Sequence, residues 1–131
     1  MTNLIIDTSA YSGFLRGDAR AAAALRGAPE IHVPLIVLGE LLAGFQAGTR
    51  AMANREQMAR FIASPRVHVL RPDEKTAHQY ADLYCSLRQL GTPIPTNDMW
   101  IAALARQYRL PLLTFDRHFA TVPGLQLACP A

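Results

Sequence analysis

Four short runs of bulky apolar residues constrain this chain most: Leu4-Ile5-Ile6, Ile31-His32-Val33, Val67-His68-Val69-Leu70 and Pro111-Leu112-Leu113-Thr114-Phe115. Each has the length of a strand, and the unbroken hydrophobicity of the first suits a strand buried on both faces. The segments between them carry helical signals. An alanine-rich stretch from Asp18 to Leu25 starts with an acid and stops at Gly27; apolar positions from Leu35 to Phe45 suit a buried helix closed at Gly48. Arg50 to Ser64 forms another helix, ended by Pro65; Asp73 precedes one from Glu74 to Leu90, stopped by Gly91. Two prolines make Thr92 to Asn97 a loop, and Asp98 opens a last helix ending near Tyr108. Asp7-Thr8-Ser9 reads as a turn, and Leu125-Gln126-Leu127 as an edge strand. Short apolar strands alternating with helices specify an α/β fold around a parallel sheet. In such sheets ligands bind beyond the carboxyl ends of the strands, so the residues just after each strand carry the functional question.

Composition narrows the class. Of 131 residues, 50% are hydrophobic and 18% charged, which excludes a disordered tail. A chain of this length buries one core, so a single domain over residues 1–131 is expected. Asp7 interrupts the first apolar run and no basic residues precede it, so no signal peptide is expected; Glu40 interrupts the most apolar region, so neither is a membrane span. Cys85 and Cys129 do not form a disulfide or metal-binding pattern and suit a reduced, cytoplasmic protein. The chain has 13 basic against 10 acidic residues, and Lys75 is its one lysine; arginine forks match phosphate better than a mobile ammonium does.

Six of the ten acids have ordinary roles. Asp18 and Asp73 cap helices, Glu74 lies in a first turn, Glu30 in a turn region, and Glu56 and Asp82 on wet helix faces. Four do not sort that way. Asp7 and Asp116 follow apolar strands, Glu40 is embedded in Val37-Leu38-Gly39-Glu40-Leu41-Leu42, and Asp98 either starts a helix behind a Thr96 or Asn97 cap or belongs to a site. An ionised carboxylate in an apolar setting costs several kcal/mol unless something positive meets it. Two partners satisfy that requirement: an arginine, with Arg16, Arg88 and Arg117 as candidates, or a bound divalent cation. Oxygen ligands suit Mg²⁺ or Mn²⁺, and none of the four histidines pairs with another at zinc-site spacing. Setting the four acids aside leaves 13 basic against six acidic residues, a surface near +7 that suits a polyphosphate partner.

These residues also resemble a known family. Ile5-Ile6-Asp7-Thr8-Ser9, Glu40 on the helix after the second strand, Asp98-Met99-Trp100-Ile101-Ala102-Ala103-Leu104-Ala105 and Leu113-Thr114-Phe115-Asp116-Arg117-His118-Phe119 are together similar to PIN-domain ribonucleases, and more narrowly to VapC-type toxins of toxin–antitoxin systems. The resemblance spans nearly the whole chain. It implies an α/β/α sandwich with a central parallel sheet flanked by helices, and an acidic site binding Mg²⁺ or Mn²⁺ through Asp7, Glu40, Asp98 and Asp116, with Asp116 the least direct ligand. It implies an endoribonuclease that hydrolyses RNA phosphodiesters with a metal-activated water, a cognate VapB-type antitoxin whose tail covers the groove, and a homodimer. Ser9, Thr8 and Thr114 either orient the carboxylates or close turns; Arg117 either touches an RNA phosphate or is plain surface; His118 reads as a loop or packing residue. Met52, Met58, Phe61 and Ile62 either line a partner groove or belong to the domain's own core.

Two other phosphate chemistries fit poorly. A haloacid-dehalogenase-type phosphotransferase expects a second Asp where Ser9 stands, and a receiver-like domain expects a lysine after a late strand, whereas Lys75 starts a helix. The alternative from another class is a noncatalytic RNA-binding or scaffold protein of the same fold, whose mark is loss of one or more of the four acids; all four are present.

Overall fold

Apolar runs as short as three residues are stable as strands only when flanked on both edges and covered on both faces, and the sheet of this protein supplies that environment. The computed structural model describes residues 2–128. Five parallel strands, β1 (Leu4–Ile6), β2 (Ile31–Pro34), β3 (Val67–Leu70), β4 (Leu112–Leu113) and β5 (Leu127–Ala128), lie in the order β3-β2-β1-β4-β5. Helices α1 (Thr8–Leu15), α2 (Ala19–Gly27), α3 (Leu35–Ala47), α4 (Ala51–Ala63), α5 (Glu74–Leu90) and α6 (Thr96–Tyr108) flank the sheet, and a 3₁₀ turn spans Arg117–Thr121. The α/β fold with a central parallel sheet is the one expected. Ile5, Ile6, Ile31, Val33, Leu112 and Leu113 form its buried middle, with Leu83, Leu87 and the run Ile101–Ala105 packed over it.

The strand order fixes where a site can form. The chain leaves β1 toward β2 and β3, then crosses back to add β4 on the other side of β1. Crossovers are right-handed, so this reversal puts helices on both faces and opens a crevice at the carboxyl ends of β1 and β4. Register completes the placement: Ile6 pairs with Leu113, so Asp7 and Thr114 follow side by side.

Several elements differ from expectation. Asp7-Thr8-Ser9 is no turn: Asp7 is the N-cap of α1, its side chain accepting from the Ala10 N–H at 2.9 Å. Helix α2 runs through Gly27, and α6 begins at Thr96, two residues before Asp98, behind Pro95, which offers no side-chain cap. Neither Thr96 nor Asn97 is therefore the cap; Asp98 lies in the first turn, where the helix dipole favours an anion. Strand β4 is confined to Leu112–Leu113, and the edge strand falls at Leu127–Ala128 rather than beginning at Leu125. Asp18 and Asp73 cap α2 and α5 as expected, and Gly91 ends α5 in the left-handed conformation. Glu30 is exposed beside His32 and His68. Met58 is buried, Phe61 packs edge-on against Tyr11 at 5.1 Å and Ile62 rests on the core, so these belong to the domain's interior; Met52 alone of the four is fully outside, at 76% exposure. Cys85 is exposed, and Cys129 lies outside the described residues. Among the described residues no helix is long and apolar enough to cross a membrane.

One glycine is required by packing. A Cβ on Gly13 of α1 would lie 2.6 Å from Cε2 of Phe115, the residue whose N–H donates to Ser9 Oγ at 2.9 Å. Overpacking costs roughly 1–3 kcal/mol, while alanine returns about 0.5–1 kcal/mol of helix preference. Gly13→Ala is therefore expected to lose about 1 kcal/mol net in urea unfolding, and G13A/F115L to recover most of it. A G13A protein as stable as the parent would contradict this packing.

Candidate active site

Asp7 is the buried centre of the crevice, 1% exposed. Its carboxylate accepts from Ser9 Oγ at 2.8 Å, from Thr114 Oγ1 at 2.5 Å and from the Ala10 N–H. These neutral donors orient it without cancelling its charge. Burial pushes its pKa above the ordinary carboxylate value; the bonds from Thr114, Ala10 and Ser9 oppose that rise, and the charge of Asp116 adds to it.

The other three acids arrive from separate elements. Helix α3 begins immediately after β2 and its second turn carries Glu40 to the crevice, where Thr8 Oγ1 donates to Glu40 Oε1 at 2.7 Å. Glu40 is half-buried rather than sunk in the apolar helix around it, so its charge faces the opening. Asp98 comes from the first turn of α6, and Asp116 follows β4, where its N–H donates to Thr114 Oγ1 at 3.0 Å. Asp7, Thr8, Ser9, Glu40, Asp98 and Asp116 line one cleft of about 560 Å³, together with Pro95, Thr96 and Asn97. Thr8, Ser9 and Thr114, for which carboxylate and turn roles were both open, all bond to carboxylates.

Asp98 is also held above its ordinary pKa. Burial is the largest cause, the hydrogen bond and charge of His118 oppose it, and the charges of Asp116 and Glu40 raise it further. The acids therefore sense one another across the cleft. Among the described residues no arginine or lysine comes within 4.0 Å of any of the four. Of the two partners left open by the sequence, arginine is not met: Arg88 instead bonds the Tyr84 hydroxyl, Arg16 is exposed at the end of α1, and Arg117 is exposed at the start of the 3₁₀ turn.

The reading of His118 as a loop or packing residue fits its place in the 3₁₀ turn against Phe119 but missed one contact. The imidazole Nε2 lies 2.5 Å from Asp98 Oδ2. Ligand atoms of Asp98, Asp116 and His118 lie within 4.8 Å of one another, close enough to share one ion. The signal was present as Asp116-Arg117-His118, but only the 3₁₀ turn brings both side chains to one side. The donor set, mostly carboxylate oxygens in an open cleft with no arginine or lysine against them among the described residues, fits a hard divalent ion.

A family model described as PIN domain matches residues 4–125. The chain belongs to the PIN-domain family. Ribonuclease VapC4 of Mycobacterium tuberculosis is 30% identical over 98 residues, covering 75% of each chain. The solved structure of VapBC-5 from the same organism, described as a member of the VapBC family of toxin–antitoxin systems, is 27% identical with a TM-score of 0.75, covering 96% of this chain and 94% of that one. DNA-bound VapBC from Salmonella typhimurium shares the fold with a TM-score of 0.87 at 22% identity, covering 100% of both chains. Within the family, the chain is thus similar to the VapC group.

The elevated pKa of Asp7 has a testable sign. The folded protein holds the proton more tightly than the unfolded chain, so the anionic carboxylate destabilises the metal-free fold above that raised value. Asp7→Asn keeps a good N-cap and removes the charge. Without metal, D7N should be more stable than the parent at pH 7, and its advantage should shrink as pH falls through the raised folded value and vanish below the ordinary 3.8. Melting curves from pH 3 to 8 read this out; a D7N protein that melts below the parent at pH 7 would refute it.

Proposed function

We propose that this protein is a divalent-metal-dependent endoribonuclease, the toxin of a toxin–antitoxin pair, acting in the cytoplasm as a single domain. The observation that carries the proposal is the meeting of Asp7, Glu40, Asp98 and Asp116 on one cleft with no arginine or lysine, among the described residues, within 4.0 Å of them. The VapC4 relative, named a ribonuclease, supports the reaction class.

The four carboxylates and His118 form the candidate donor set for Mg²⁺ or Mn²⁺. A bound divalent ion supplies charge that acidifies water and stabilises the departing oxygen of a phosphodiester. The chain's own residues do the rest. Ser9 and Thr114 lock the Asp7 carboxylate in one orientation, and Thr8 does the same for Glu40. The uncapped start of α6, at Thr96 and Asn97, borders the cleft with backbone N–H groups suited to a phosphate oxygen. Arg117 stands beside Asp116 and is exposed, suited to an adjoining RNA phosphate.

The VapBC-5 assembly is described as a toxin–antitoxin system, which supports a small antitoxin partner for this chain. Exposed Leu35 and Leu42 on the helix that carries Glu40 offer apolar surface to an antitoxin or a second copy in a homodimer. The noncatalytic alternative has no observation in its favour.

Purified protein should cleave a mixture of labelled structured RNAs with Mg²⁺ or Mn²⁺, and EDTA should stop it. Metal-mediated charge stabilisation contributes several kcal/mol, so D7N and D98N should each slow cleavage by at least about a hundredfold. Millimolar Mn²⁺ should also raise the parent's melting temperature, and raise that of D98N less. Normal metal-dependent cleavage by D7N would overturn the site; saturable RNA binding without turnover would favour the noncatalytic alternative.

A further inference from the structure

We propose that His118 is itself a metal ligand, supplying through Nε2 one nitrogen to a set otherwise made of carboxylate oxygens, and that it biases the cleft toward Mn²⁺ over Mg²⁺. This rests on the metal-site reading above and extends it to ion selectivity.

The geometry is specific. His118 Nε2 is hydrogen-bonded to Asp98 Oδ2 at 2.5 Å, and ligand atoms of Asp98, Asp116 and His118 all lie within 4.8 Å of one another. An ion held by the three would take the place of the proton shared by imidazole and carboxylate. The imidazole side chain is 39% exposed and that of Asp98 15%, so an ion reaches the pair from solvent without unfolding. The backbone holds His118 in position from both sides. Upstream, Thr114 is bonded to Asp7 and accepts from the Asp116 N–H; downstream, Phe119 is buried in the core and Thr121 Oγ1 donates to the His118 carbonyl at 3.0 Å.

Selectivity follows from donor chemistry. Mg²⁺ takes oxygen ligands and keeps much of its water. Imidazole suits first-row transition ions, of which Mn²⁺, though the weakest binder of the series and itself at home among oxygens, accepts a nitrogen more readily than Mg²⁺ does. An aspartate pair alone discriminates little between Mg²⁺ and Mn²⁺. Adding one imidazole to Asp98 and Asp116 strengthens the transition ion's binding with little gain for Mg²⁺.

The test reads metal binding directly. The full-length parent, H118A and H118N are titrated with Mn²⁺ and Mg²⁺ by calorimetry, with circular dichroism confirming folding. Mn²⁺ bound to the parent is examined by electron spin-echo modulation, with and without ¹⁵N-histidine. Losing an outer-shell partner already costs about 10–100-fold in metal affinity. Losing a ligand should therefore weaken Mn²⁺ binding by at least about tenfold, while Mg²⁺ binding stays within a few-fold. The parent should show ¹⁴N modulation that changes with ¹⁵N-histidine and disappears in H118N. Tight Mn²⁺ binding without nitrogen modulation would overturn the role of His118 and leave the carboxylate site standing. Stronger Mn²⁺ binding by H118A would also overturn it, marking His118 as a competitor for Asp98. Absence of Mn²⁺ binding to the parent would overturn both this inference and the metal site.

Discussion

The carboxylate of Asp7, buried at the carboxyl end of a central strand, is the constraint on which the site depends. It caps α1 through the Ala10 N–H and fixes Thr114 across the β1–β4 seam. It is thus both a structural pin and a buried charge. Hydrogen bonds orient such a charge but do not balance it, and burial still drives its pKa up. The divalent cation proposed above would complete that environment.

The topology explains how residues so far apart in sequence meet. Placing β4 beside β1 on the side opposite β2 makes the carboxyl ends of β1 and β4 the point where crossover direction reverses. Asp7 and Asp116 arrive from those two strands, Glu40 from the helix leaving β2 and Asp98 from the helix entering β4. Their mutual repulsion is a destabilising feature concentrated in one place. The large apolar core elsewhere tolerates it, as is common where function requires a strained or charged site.

Much of this was legible in the sequence because it depends on strand ends. Unbroken apolar runs mark buried parallel strands, and an acid directly after such a run has few structural explanations. The parallel sheet, α3 through α5 and the singling out of Asp7 and Asp116 could be read that way; Glu40 stood out as a charge in an apolar helix, and the joining of all four acids in one site came from the family resemblance. Helix α1 could not, because Thr8 and Ser9 look like turn residues until Asp7 is seen to cap a helix and their hydroxyls to bind carboxylates. The start of α6 was missed for a related reason: two prolines suggest a loop, yet Pro95 stands at the N-cap, just outside the helix, where its missing N–H costs no helical hydrogen bond. Whether arginines met the acids was a question of three-dimensional reach, and no local pattern encodes it. His118 was hidden because its contact with Asp98 spans 20 residues and requires a 3₁₀ turn with no sequence periodicity of its own.

The most direct measurement is anomalous diffraction from crystals equilibrated with MnCl₂. Gathering of these side chains for a hard cation requires a manganese peak in the cleft, in contact with carboxylate oxygens from at least two of β1, α3, α6 and the segment after β4. A cleft without manganese at millimolar metal, its carboxylates each drawn instead to a separate guanidinium, would contradict the account.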